Sequence, residues 1–125
     1  MYTLRKTGSH SGIRGKIVLV PFPFDDFTVQ KVRPALCLTD PIGKFSHVVV
    51  AFISSKIPEF IEDFDLVIDQ KNENWADTGL LVPSVLKLHK LVSIPQNLIL
   101  RELGVFPKKL TAILEGNMKS IFHLT

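Results

Sequence analysis

The chain has 125 residues, of which 46% are hydrophobic and 22% are charged, and its formal net charge is +3. This length favours a single domain, and the apolar content is sufficient for a core without disulfides. The single cysteine, Cys37, excludes an internal disulfide and fits a reducing cytoplasm. No segment resembles a signal peptide, and the longest apolar runs, such as residues 48–53, are too short to span a membrane, which predicts a soluble protein.

Charge is unevenly distributed along the chain. Residues 1–33 carry six basic side chains against Asp25 and Asp26, whereas residues 59–69 carry five acidic side chains and no basic one. A surface divided in this way would direct a polyanion to one side. Composition alone favours the simpler interpretation of two solvent-exposed charge clusters.

The pattern along the chain is mostly that of β-structure. Residues 1–14 are polar and glycine-containing, which predicts a flexible arm, followed by one domain over residues 15–125. Short apolar and β-branched runs bounded by proline, glycine and aspartate predict strands: Ile17–Val20, Pro34–Thr39, His47–Ile53, Phe64–Asp69, Leu80–Val82 and Val85–Ile94.

The C-terminal region changes to helical spacing. One apolar stripe after Pro107 and Gly104 predicts an amphipathic helix; its members are Leu110, Ile113, Leu114, Met118, Ile121 and Phe122. Sequential short strands followed by one helix indicate a mainly β fold, a small and partly closed barrel that is largely antiparallel.

Residues that could carry chemistry are few. The four histidines are scattered without metal-ligand spacing, so no metal site and no cofactor is predicted. Trp75 lies in a polar segment and could stack on a base, although such a tryptophan more often packs against its own domain. Arg33 precedes Pro34 after an irregular loop, and Ser54 follows a buried strand. Taken singly, these two would be a surface arginine and a turn-capping serine.

The order of five segments resembles the PemK-like and MazF-like toxin family. Those segments are residues 14–24 (RGKIVLVPFPF), 31–38 (KVRPALCL), 48–56 (VVVAFISSK), 78–85 (TGLLVPSV) and 88–91 (LHKL). The resemblance implies an SH3-like barrel with a C-terminal helix, a homodimer, and a cognate antitoxin with an acidic tail. It also implies metal-independent cleavage of single-stranded RNA that leaves a 2′,3′-cyclic phosphate and a 5′-hydroxyl, with Arg33 and Ser54 at the catalytic positions.

Arginine and serine suit those roles chemically. Because the 2′-hydroxyl of the RNA attacks the adjacent phosphorus, the protein needs to align the strand and stabilise charge on the phosphate. The planar guanidinium of Arg33 matches phosphate geometry, and the Ser54 hydroxyl can donate to the same group. Arginine scarcely deprotonates in proteins, so the acid and the base stay unassigned.

Some positions differ from the family pattern. Lys16 stands where members usually carry an acid, Lys56 stands where many carry glutamine, and residues 25–32 lack a glutamate–glutamine pair and a histidine that some members have. We expect Arg14, Lys16, Lys31 and Lys56 to line a groove that follows the RNA.

Two other functions stay open, the first because of these departures and the second because the divided charge and the apolar loop at residues 21–24 would suit it. One is a binding module without catalysis that holds RNA or a protein target such as a topoisomerase, since a fold does not fix a function. The other is a structural interaction domain. In a ribonuclease, the loop residues Phe22, Phe24 and Asp25 would form a wall beside the site. In an interaction domain, the two phenylalanines would instead form an interface patch.

Overall fold

The computed structural model describes residues 12–22 and 31–124. A six-stranded sheet dominates this part of the chain, with the strand order β4-β5-β3-β2-β1-β6 and antiparallel pairing between all neighbours. The strands are β1 (Lys16–Phe22), β2 (Lys31–Cys37), β3 (His47–Ser54), β4 (Asp65–Ile68), β5 (Ser84–Pro95) and β6 (Arg101–Val105). The helix α1 (Thr111–Ile121) follows. The predicted fold class is confirmed, since the sheet curls into a half-barrel next to a C-terminal helix.

Side chains alternate between the two faces of the sheet, and each face has its own core. The face that packs against α1 is called here the helix face, and its buried members include Ile17, Leu36, Ala51, Ile53 and Leu86. The other face is called the opposite face, and its buried members include Val18, Val20, Ala35, Cys37 and Val50, covered in part by Ile99.

The helix forms where the apolar stripe predicts it, but its buried side is narrower. Leu110 and Leu114 are buried against the helix face, and Met118 packs on the same core. Ile113 and Phe122 are about half exposed. Burying a leucine side chain of this kind contributes roughly 1.5–3 kcal/mol. Within the described residues, no helix has both the length and the apolar character that crossing a bilayer requires.

One predicted strand is wrong and one strand was missed. Residues 80–82 form a bend, and Leu81 is 94% exposed, so the apolar run does not enter the sheet. The strand β6 was not predicted, because its residues are mostly exposed or half-exposed and include Gly104. It forms because it pairs with the free edge of β1, where Lys16 faces Val105.

The described chain enters the sheet through a fixed turn. The backbone N–H groups of Ile13 and Arg14 donate to Oδ1 of Asp40 at 3.1 and 3.0 Å. Gly15 adopts a positive φ of 88°, a conformation that costs glycine little, and donates to the carbonyl of Cys37. Ile13 and Arg14, at the end of the predicted arm, are thus held by hydrogen bonds, and residues 1–11 of the arm lie outside the described part.

Candidate functional site

Arg33 lies near the start of β2, where the strand emerges from the segment that joins it to β1. It pairs with Val20 of β1 and, like Ala35 and Cys37, belongs to the opposite face by strand alternation. The residue is half-buried and its Nε atom is enclosed. Pro34 lacks an N–H to bond to a neighbouring strand, so the pairing of β2 with β3 begins one residue later, at Ala35.

Ser54 ends β3 on the same face as Arg33. In the register between β2 and β3, Ala35 faces Phe52 and Cys37 faces Val50. Continued by two residues, this register brings Arg33 opposite Ser54, and facing residues have Cα atoms about 4.5–5.5 Å apart. The Ser54 Oγ accepts the backbone N–H of Lys56 at 3.0 Å. The hydroxyl is thereby oriented, and its own proton can still be donated to a ligand.

A cavity of about 320 Å³ lies at the same end of the sheet but on the helix face. Its wall is mainly apolar, with Arg33, Ser55, Ser84 and Arg101 as the polar contributors. Ser55, the first residue after β3, lines it, and Ser54 does not. Arg33 is one of the residues that line the cavity, so the cavity and the candidate site share this side chain, whereas Ser54 is not among the lining residues.

The four predicted RNA-binding residues fall into two groups. Lys31 lies two residues before Arg33 on the same strand face, and Lys56 is exposed next to the Ser54 turn. Lys16 lies at the other end of β1, about 13 Å from the level of Arg33 at 3.3 Å per residue, and pairs with Glu102 of β6 at 3.2 Å. Arg14 is exposed beyond Lys16. The structure thus brings Lys31 and Lys56 to the candidate site and leaves Arg14 and Lys16 apart from it.

The predicted wall lies almost entirely outside the described residues. Phe24 and Asp25 belong to residues 23–30, which the structure does not describe, and Phe22 is described only as the last residue of β1, where it faces Lys31. Trp75 is half-buried and packs on the core of the helix face. This position supports a structural role for the tryptophan over base stacking.

An ion pair on the opposite face was missed by the sequence reasoning. Lys87 of β5 faces both Phe52 of β3 and Asp65 of β4, and its Nζ lies 3.7 Å from Oδ1 of Asp65. The Asp65 side chain is only 2% exposed. A charged residue in the apolar run 85–88 (VLKL) is the signal that could have identified it, because a charge is seldom buried without a partner.

Within the described ranges, two titratable groups have shifted pKa values. Burial raises the pKa of the Cys37 thiol from 9.0 to about 12, with Glu102 and Asp40 adding to the effect. The pKa of His89 is lowered by desolvation and then by the positive charges of Lys87 and Lys90. The His89 ring lies 4.2 Å from that of Phe64. Among residues 12–22 and 31–124, no group of three or more His, Cys, Asp or Glu side chains is arranged to hold a metal ion.

Comparison with protein families places the chain in a class that the fold and these residues fit. The family model described as "PemK-like, MazF-like toxin of type II toxin-antitoxin system" matches residues 13–122. This match covers most of the chain, so the protein belongs to the PemK-like, MazF-like toxin family. No curated protein sequence gives a significant match.

Solved structures give the same fold. The toxin MazF-mt6 of Mycobacterium tuberculosis is 22% identical with a TM-score of 0.68, over 88% of this chain and 98% of that chain. MazE-MazF (Form-II) from Deinococcus radiodurans is 16% identical with a TM-score of 0.71, over 94% of this chain and 100% of that chain. At these identities the likeness shows the fold, and the chemistry must be argued from this chain's own residues.

Proposed function

We propose that this toxin is an endoribonuclease that cleaves single-stranded RNA without a metal ion. The RNA 2′-oxygen forms a bond to the adjacent phosphorus while the bond from phosphorus to the 5′-oxygen breaks. The 2′-hydroxyl loses its proton and the departing 5′-oxygen gains one. The products are a 2′,3′-cyclic phosphate and a 5′-hydroxyl.

The observation that carries this proposal is the antiparallel register of β2 and β3, in which Ala35 faces Phe52; by strand alternation, Arg33 and Ser54 then belong to the same face near the adjoining strand ends. Charge develops on the non-bridging phosphate oxygens as the 2′-oxygen attacks, and donors fixed in advance stabilise it. The Arg33 guanidinium supplies charge-assisted hydrogen bonds in a planar fork. Ser54 supplies a hydroxyl that is already oriented by the N–H of Lys56. The toxin family to which the chain belongs supports the same activity.

The decisive test is cleavage of a long single-stranded RNA in EDTA, with the ends of the fragments mapped. We expect cuts that end in cyclic phosphate, and we expect Arg33→Ala to slow them by at least about 100-fold, the size of effect seen when one transition-state donor is removed. Arg33→Lys should restore only part of the rate, because it keeps the charge and loses the fork.

Lys119→Ala is the matched control, because it removes an exposed positive charge from α1. It should cleave like the unaltered protein. If the unaltered protein, free of any antitoxin, binds RNA and leaves a broad range of sequences uncut, the non-catalytic binding module becomes the better description.

The family supports a further proposal about partners and location. We propose that a cognate antitoxin covers the Arg33–Ser54 region with an acidic tail, that the toxin forms a homodimer, and that it acts in the cytoplasm. The solved relative titled MazE-MazF supports a partner of this kind. A synthetic acidic peptide from a neighbouring reading frame should inhibit RNA binding by the unaltered protein and should bind Arg33→Ala more weakly.

A further inference from the structure

Lys87 stands out among the charged residues because it is held inside the sheet. Its side chain is 19% exposed, and its Asp65 partner is almost completely enclosed. Oδ2 of Asp65 also accepts the backbone N–H of Glu62 at 3.1 Å, which fixes the carboxylate in the turn before β4. The Lys87 ammonium is therefore partly buried and lies next to a carboxylate that is itself held in place.

The strand register places Lys87 next to the candidate site. Lys87 faces Phe52, and Ser54 is two residues further along the same strand. Diagonal neighbours of this kind are about 7–8 Å apart, within reach of a long side chain. Strand alternation puts Lys87, Ser54 and Arg33 on the same face of three consecutive strands. The three side chains form a triangle on the opposite face.

The ion pair leaves Lys87 able to bind an anion. An ammonium has three donors, and the single carboxylate oxygen at 3.7 Å engages at most one of them. Asp65 compensates the charge while the site is empty, which lowers the cost of keeping an ammonium partly buried. A phosphate arriving beside Ser54 would meet an ammonium that is already in place.

We propose that Lys87 is a third cationic group of the RNA site and binds the phosphate next to the one that is cleaved. This inference rests on the proposed function, because it assigns the ligand of the same face. Arg33 and Ser54 act on the reacting phosphate, whereas Lys87 fixes the register of the strand by holding a non-reacting one.

The test measures RNA binding without cleavage. The probe is a single-stranded oligoribonucleotide that is 2′-O-methylated throughout, since it has no 2′-hydroxyl to attack. The variant is the double substitution Lys87→Met with Asp65→Asn, because removing the lysine alone would leave a buried carboxylate without its partner. We expect the slope of log affinity against log salt to decrease in magnitude by about 0.7, the value for one phosphate contact on a single strand.

The matched control is Lys109→Met with Glu73→Gln. That pair is also an ion pair, is well exposed, and lies in the segments before α1 and before residues 75–78. Both double variants lose one charge of each sign. The inference predicts an unchanged slope for the control, and equal losses in both variants would overturn it. An unchanged slope for the Lys87 variant would also overturn it, while the proposed function would survive as long as the unaltered protein binds the probe.

A second measurement needs no substitution. Lysine amines of the unaltered protein are acetylated with and without the bound oligonucleotide, and labelling at each position is read by mass spectrometry. We expect RNA to protect Lys87 and to leave Lys109 equally labelled. Equal labelling of Lys87 in the two samples would contradict the inference. Failure of the protein to bind the oligonucleotide at all would instead count against the proposed function.

Discussion

The two faces of the sheet differ sharply at the end where β2 begins and β3 ends. The helix face has a largely apolar cavity there, with Ser55 and Arg101 among its few polar contributors. The opposite face has Ser54 and the ion-paired Lys87, and Arg33 belongs to that face by strand alternation while also lining the cavity. Ser54, the last residue of β3, and Ser55, the next residue, thus lie in different environments. The comparison teaches that the two serines can tell which face the proposed phosphate site uses, because Arg33 contributes to the cavity as well.

The largest expected effect concerns Cys37, which ends β2 on the opposite face, four residues from Arg33. Cys37 is buried there, and its pKa of about 12 instead of 9.0 reduces the thiolate fraction about 1000-fold at neutral pH. Iodoacetamide should therefore modify the native protein at least that much more slowly than the urea-unfolded protein. The rates are followed by mass spectrometry. Rapid alkylation of the native protein would mean that Cys37 becomes accessible to the reagent. The contrast between a buried Cys37 and a half-buried Arg33 on this face would then be wrong.

The next prediction tests whether the close contact of Gly79, in the cavity wall, with the backbone of Leu103 is required for stability. Gly79 has a φ of 73°, and a Cβ there would lie 2.0 Å from the backbone oxygen of Leu103. Gly79→Ala should lower the free energy of unfolding by about 3 kcal/mol, through a clash and a strained backbone. Urea denaturation measures the loss. Gly43→Ala is the matched control, since its φ is 77° and nothing lies within 4 Å of its Cβ. We expect about 1 kcal/mol there, and equal losses would refute the clash.

A smaller effect is expected from replacing each of the two serines, and the rate of RNA cleavage tells which face of the sheet the reaction uses. Ser54→Ala removes the proposed phosphate donor and should slow RNA cleavage by about 10- to 100-fold, or about 1.4–2.7 kcal/mol of barrier. Ser55→Ala should leave the rate unchanged, because that side chain lies on the helix face. Both rates are measured on the same RNA in EDTA. The reverse result would move the reaction into the cavity and would refute the assignment to the opposite face.

The smallest expected effect tests the electrostatics around Lys87. The lowered pKa of His89 has desolvation as its main cause and the Lys87 charge as the second. Asp65 acts on the His89 pKa in the opposite direction to Lys87. The double variant Lys87→Met with Asp65→Asn should therefore change this pKa less than Lys87→Met alone. Lys87→Met alone should raise it towards its ordinary value. Imidazole NMR titration measures both. A lower pKa in Lys87→Met would show that Lys87 does not lie near His89.

Much of the fold was predictable because local sequence patterns determine its strands and its helix. β-branched runs such as Ile17–Val20 and His47–Ile53 became β1 and β3, since alternation and strand propensity act over a few residues. The stripe from Leu110 gave α1 for the same reason. The family resemblance supplied Arg33 and Ser54 as candidates.

The misses came from contacts between distant residues. The local pattern places Gly104 only as a residue before the helix, yet it lies within β6, where a Cβ would be 2.2 Å from the backbone oxygen of Asp77. That requirement for glycine depends on a segment more than twenty residues away. The apolar run at residues 80–82 was interpreted as a strand, although no edge of the sheet pairs with it.

The sequence by itself determined a mainly β chain with one amphipathic helix, and the order of motifs that identifies the toxin family. Tertiary structure alone decided which charged residues meet. The register across β2, β3 and β5 brings Arg33, Ser54 and Lys87 to one face, and pairing with β4 gives Lys87 its partner. The physical reason is that a strand's period of two is local, whereas the residue it faces depends on how strands far apart in the chain align.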